Sequence, residues 1–116
     1  GFDALTDDLI DLAKEKDLVL IEDCCESHGA THNGVKIGNF GLMSNFSFYF
    51  GHHITTVEGG VVCTNDERVY QLAKMFRSHG MIREVSEEYG LTILTKKDIL
   101  QAIILKVIVV LLYLWF

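Results

Sequence analysis

Two short apolar runs, each opening into a cluster of chemically capable side chains, constrain this chain more than any other feature. Leu18-Val-Leu-Ile21 leads into Glu22-Asp23-Cys-Cys-Glu26-Ser-His28-Gly29-Ala30, and Asn45-Phe-Ser-Phe-Tyr-Phe50 leads into Gly51-His52-His53, then Glu58-Gly59-Gly60. A short apolar run bounded by polar and glycine residues reads as a strand. The first strand is therefore expected over 18–21, with Glu22 and Asp23 where it leaves the sheet. The second is expected over Phe46–Phe50 and a third over Val61–Thr64. Carboxylates and imidazoles gathered at strand ends are where α/β proteins place their chemistry.

Helical periodicity frames these strands. Gly1 to Lys16 is an acid-rich amphipathic pattern with Leu5, Leu9, Leu12 and Ala13 on one face and Thr6 or Asp7 near its start, which does not read as a signal peptide. Thr64-Asn-Asp-Glu67 has the form of a capping box, and Val69, Leu72, Ala73 and Phe76 follow at helical spacing. A helix is expected from about Asp66 to Ser78, with Gly80 as a stop. Between the first two strands, the glycine-rich stretch from Thr31 to Gly41 is expected to form a short hairpin or loop. The sum is one small α/β domain of 116 residues, 49% of them hydrophobic.

Several function classes are excluded at this level. A formal net charge of -6 leaves no basic footprint for nucleic acid. Cys24, Cys25, His28, His52, His53 and Cys63 are metal-ligand types, but no Cys-x-x-Cys or His-x-x-x-His spacing joins them, and no metal site is expected. An odd number of cysteines, two of them adjacent, does not form a disulfide framework and fits a reducing cytoplasm. Cys63, in an apolar run, is expected in the core.

The motifs in order resemble the DegT/DnrJ/StrS sugar-aminotransferase family, fold type I enzymes that use pyridoxal 5'-phosphate. That family typically shows Glu-Asp-Ala-Ala-Gln-x-His-Gly-Ala, then Gly-x-x-Gly-x-Phe-Gly-Asp, Phe-Ser-Phe, a lysine, and Glu-Gly-Gly. Here Glu22 to Ala30, Lys36-Ile-Gly38-Asn-Phe-Gly41, Phe46-Ser47-Phe48 and Glu58-Gly59-Gly60 fill those places. The resemblance implies an α/β fragment of the large domain of such a transferase over residues 1–90.

One departure narrows the expected function. The family's Schiff-base lysine falls where this chain has His52, and an imidazole cannot make that bond to the cofactor aldehyde. Histidine here resembles the dehydratase branch, where pyridoxamine phosphate is held without a covalent bond and the histidine acts as acid and base on a nucleotide-linked keto-sugar. Unperturbed imidazole titrates at about pH 6.5, suited to that work. The resemblance further implies Asp23 at the cofactor's pyridine nitrogen, Glu26 where glutamine usually meets the ring's phenolic oxygen, and Ser47 at the phosphate. His53 would shape the pocket, and the Glu58-Gly59-Gly60 turn would use glycine's access to positive φ. Phe50 stands where the family often has proline. A sugar aminotransferase of the same family, and a non-catalytic remnant, remain the alternatives.

The family's upstream phosphate-binding turn, its ring-stacking aromatic and its small domain have no counterpart, so the polypeptide alone is expected to have little activity, and the parent enzyme is expected to be a homodimer. Residues 91–116 form a separate apolar segment, with Ile99 to Phe116 interrupted only by Gln101 and Lys106. A membrane helix, a buried element of the parent and out-of-frame sequence compete here. The out-of-frame reading is preferred, and membrane contact is not.

Overall fold

The computed structural model describes residues 4–86. The 91–116 segment and the proposed boundary at residue 90 lie outside the described residues. Helix α1 (Asp7–Glu15) starts at the Thr6 N-cap, whose Oγ1 accepts the Leu9 N–H at 3.2 Å, and Asp7 and Asp8 complement the positive end of its dipole. Its buried stripe is Leu5 and Ala13 with partly buried Leu9, four residues apart. Leu12, expected on that face, is 47% exposed, because it sits one position off the stripe.

Strand β1 (Ile21–Asp23) begins three residues later than expected, so Glu22 and Asp23 belong to the strand and are not its exit. Strands β2 (Thr31–His32) and β3 (Val35–Lys36) form the expected hairpin, turning through Asn33 and Gly34 with φ of 49° and 79°. Positive φ at both central residues matches the right-handed twist of a two-residue hairpin.

Strand β4 (Met43–Ser47) is also displaced, starting and ending three residues before the expected aromatic run. Ser44 and Asn45 are admitted because their polar groups are satisfied: Ser44 Oγ donates to the Gly38 carbonyl at 3.0 Å, and Asn45 Nδ2 donates to Asp23 Oδ1 at 3.0 Å. Tyr49 and Phe50 fall beyond the strand and are exposed.

The three-stranded sheet has the order β1-β4-β5, with β5 spanning Gly60–Cys63. β1 and β4 run parallel, with Glu22 opposite Ser44 and Asp23 opposite Asn45. β4 and β5 run antiparallel, with Ser47 opposite Gly60 and Ser44 opposite Cys63. Cys63 is exposed and not core, since β5 lies at the edge of this sheet and every one of its residues is exposed.

Helix α2 (Glu67–Arg77) is capped by Asp66, whose Oδ1 accepts the Val69 N–H at 2.9 Å. Thr64 is therefore not the cap; its hydroxyl donates to the Leu42 carbonyl at 2.7 Å and accepts the Asp66 N–H at 3.1 Å. The helix buries Gln71, Met75 and, at its C-cap, Ser78, while Phe76 is 59% exposed. Gln71 can be buried because both ends of its amide have partners: its Nε2 donates to Glu67 Oε1 and its Oε1 accepts the Ser86 N–H just after the 3-10 turn Ile82–Glu84.

Candidate functional site

Because β1 and β4 are parallel neighbours, their carboxyl ends open at one edge of the sheet, the edge where open α/β sheets bind ligands. Asp23 ends β1 there and Ser47 ends β4. Asp23 is exposed, and its Oδ1 accepts from the Asn45 amide and from the Cys25 N–H at 3.2 Å. Ser47 Oγ accepts the Tyr49 N–H at 3.1 Å, which bends the chain out of the strand.

The following loop is closed at its base by Phe48. Its N–H donates to the Gly59 carbonyl at 2.8 Å, and its carbonyl accepts the Thr56 N–H at 2.9 Å. Inside the loop, the His52 N–H donates to the Tyr49 carbonyl at 3.0 Å, placing His52 at a turn with its ring 6.1 Å from the Tyr49 ring. His52 Nδ1 lies 2.7 Å from Glu26 Oε1, without the alignment that a ring N–H···O hydrogen bond requires, so the two groups are in close polar contact. The imidazole is well covered, at 19% exposure, while the Glu26 carboxylate is open to solvent.

Four of the residues singled out in the sequence stand at or just beyond this edge: Asp23 and Ser47 at the strand ends, and Glu26 and His52 in the loops that follow them. His28 carries no role in the sequence motifs. Both His28 ring nitrogens are buried without a hydrogen-bond partner, and the ring lies 5.6 Å from Phe46, 6.0 Å from Phe48 and 5.8 Å from His53. Glu22 was also missed. It is 7% exposed, and its carboxylate accepts the Gly38 N–H at 2.6 Å and the Phe40 and Gly41 N–H groups at 2.7 Å each. An acid followed at some distance by a glycine-rich stretch was its signal, because glycine segments expose main-chain donors.

The Glu58-Gly59-Gly60 turn needs its glycines for space and not for positive φ. A Cβ on Gly59 would lie 2.4 Å from Thr56 Oγ1, and one on Gly60 3.0 Å from the Phe46 carbonyl. The left-handed residue of this loop is Val57, at φ 75°. A β-branched side chain is costly there, and such strain gathers at functional loops.

The thiols beside the site are quiet. Burial, then the neighbouring Asp23, pushes the Cys25 thiol up to about 11, and burial pushes Cys24 up to about 12. Among the described residues no group of three or more His, Cys, Asp or Glu side chains is arranged to hold a metal ion, and no helix is long and apolar enough to cross a membrane.

Comparison with known proteins places the fold in a family. Residues 3–106 match the model of the DegT/DnrJ/EryC1/StrS aminotransferase family. This chain belongs to that family. It is 45% identical over 86 residues to GDP-4-keto-6-deoxy-D-mannose 3-dehydratase of Yersinia pseudotuberculosis, covering 74% of this chain and 21% of that protein. It is 42% identical over 73 residues to GDP-perosamine synthase of Escherichia coli O157:H7, covering 63% and 20%. The structure of E. coli GDP-4-keto-6-deoxy-D-mannose-3-dehydratase with bound hydrated PLP superposes with a TM-score of 0.64 at 42% identity, over 70% of this chain and 21% of the other. The chain therefore spans about a fifth of the length of these family members. Its mixed α/β fold is a fragment of theirs.

Proposed function

We propose that these residues form part of a nucleotide-sugar 3-dehydratase that holds pyridoxal or pyridoxamine phosphate without a covalent bond. The observation that carries the reading is His52, a covered imidazole paired with Glu26 at the carboxyl edge of the parallel strands, where the family's lysine would stand. The donor set fits the cofactor. Asp23 offers an open carboxylate for a pyridinium nitrogen, and the Ser47 hydroxyl at the strand exit suits a phosphate. When bound, the cofactor supplies an electron sink that eases loss of a hydroxyl beside a sugar keto group.

His52 performs the proton work in this proposal. Glu26 lies against the Nδ1 side of the ring, leaving Nε2 to act as the acid and base that delivers a proton to the departing hydroxyl, which leaves as water. The turn hydrogen bond from His52 N–H to Tyr49 fixes the ring's origin, which proton transfer over a short reach requires. The substrate is a GDP- or similarly linked keto-sugar, the intact enzyme is a cytoplasmic homodimer, and turnover requires segments beyond those described.

A transaminase of the same family is the second reading, favoured by the match to an aminotransferase family model over residues 3–106. It needs an amine that forms a Schiff base. Pyridoxal phosphate added to the full chain, followed by borohydride reduction and peptide mapping, separates the two. A bound-cofactor absorbance band with no lysine adduct is expected, and specific labelling of one lysine would overturn the histidine assignment.

A further inference from the structure

The geometry points to Glu22 as a positioning residue, which sets the imidazoles of the site through the 38–41 loop. Glu22 neighbours Asp23 in β1 but faces the opposite side of the strand, so it takes no part in the contacts described at Asp23. Its two oxygens collect three main-chain N–H groups, from Gly38, Phe40 and Gly41. Gly38 is gripped at its other end as well, since its carbonyl accepts the hydroxyl of fully buried Ser44.

Gly38 has φ of 99°, and a Cβ there would lie 2.9 Å from Phe46 Cζ. The fixed loop is therefore the wall against which the Phe46 ring rests. That ring meets His28, and His28 meets His53 edge to face. With neither ring nitrogen hydrogen-bonded, His28 is held by these ring contacts, so a moved wall moves the imidazole. The path runs from Glu22 to Gly38, Phe46, His28 and the turn that carries His52.

This inference rests on the His52-His53 turn being the reacting part, yet its test needs no cofactor. In Glu22→Gln one oxygen becomes a donor-only NH2 group that faces N–H donors. In NMR spectra of the full chain, the amides of Gly38, or of Phe40 and Gly41, should exchange about tenfold faster. The ring signals of His28 and His53 should shift together, while those of His79, after α2, stay in place. Phe46→Leu is the second variant, and it cuts the path beyond the clamp. It should move the His28 and His53 signals and leave the 38–41 amides protected, so the link stays testable even if Glu22→Gln fails to fold. Faster exchange at 38–41 with unmoved His28 and His53 signals, or Phe46→Leu with unmoved signals, overturns the proposal. A lysine adduct in the borohydride experiment would instead sink the dehydratase reading and leave this path standing.

Discussion

Gly41→Ala should be among the most damaging single-methyl changes in this chain. A Cβ at Gly41 would lie 2.5 Å from the Leu20 carbonyl oxygen and 3.0 Å from its carbon, both main-chain atoms that cannot rotate away. Relief requires the loop to lift from β1. That movement strains the Gly41 N–H bond to Glu22 and the 2.9 Å bond from Leu42 N–H to the Leu20 carbonyl. Overpacking of this kind costs about 1–3 kcal/mol, and each of the two weakened hydrogen bonds adds about 1 kcal/mol, so a loss of at least roughly 3 kcal/mol is expected.

The control is Gly34→Ala. Gly34 has φ of 79° and nothing within 4 Å of a built Cβ, so its cost is conformational alone, about 1–2 kcal/mol. Urea titration of the full chain, followed by circular dichroism, reads the contrast. With a slope of about 1 kcal/mol/M, the midpoint should fall by about 3 M for Gly41→Ala and by about 1–2 M for Gly34→Ala. Equal shifts, or a smaller one at Gly41, would refute the claim that loop 38–41 is seated hard against β1.

Two further outcomes are expected. The hydrogen bonds from His32 and then Asn33 hold the Asp7 carboxyl below its ordinary value of 3.8. Its folded value is depressed, so the tie stabilises the fold above that ordinary value and fades as pH falls through the folded one. The stability gap between wild type and Asp7→Asn should be present at pH 6 and shrink below about pH 3.8; a gap independent of pH in urea titrations contradicts this. Iodoacetamide on the native chain should modify exposed Cys63 first, with Cys25 and then Cys24 far slower, since burial raises both thiols. Peptide maps showing Cys24 labelled as fast as Cys63 would contradict the buried placement.

The order of elements was legible because it follows from local signals: the Thr6 start of α1, the turn between β2 and β3, and the periodicity of α2. The four residues at the sheet edge were legible because the motifs occur in sequence at the family's intervals. Strand limits were not, since apolar content drew β4 toward Phe50, whereas Ser44 and Asn45 earn their places through partners at Gly38 and Asp23. The buried face of α2 was misplaced for the same reason: Gln71 is buried by virtue of bonds to Glu67 and Ser86, which no periodicity reports. Glu22 shares that origin, because its partners are main-chain amides at least sixteen positions away.

The Glu22 clamp grips only peptide groups. Because Gly38, Phe40 and Gly41 are held by their N–H donors, the identity of the side chain between them is free of that constraint. Asn39 is exposed, and its side-chain amide donates to the Lys36 carbonyl. Position 39 is thus a place where sequence can drift, or where a label or reporter group can be attached, while the hold on the loop persists.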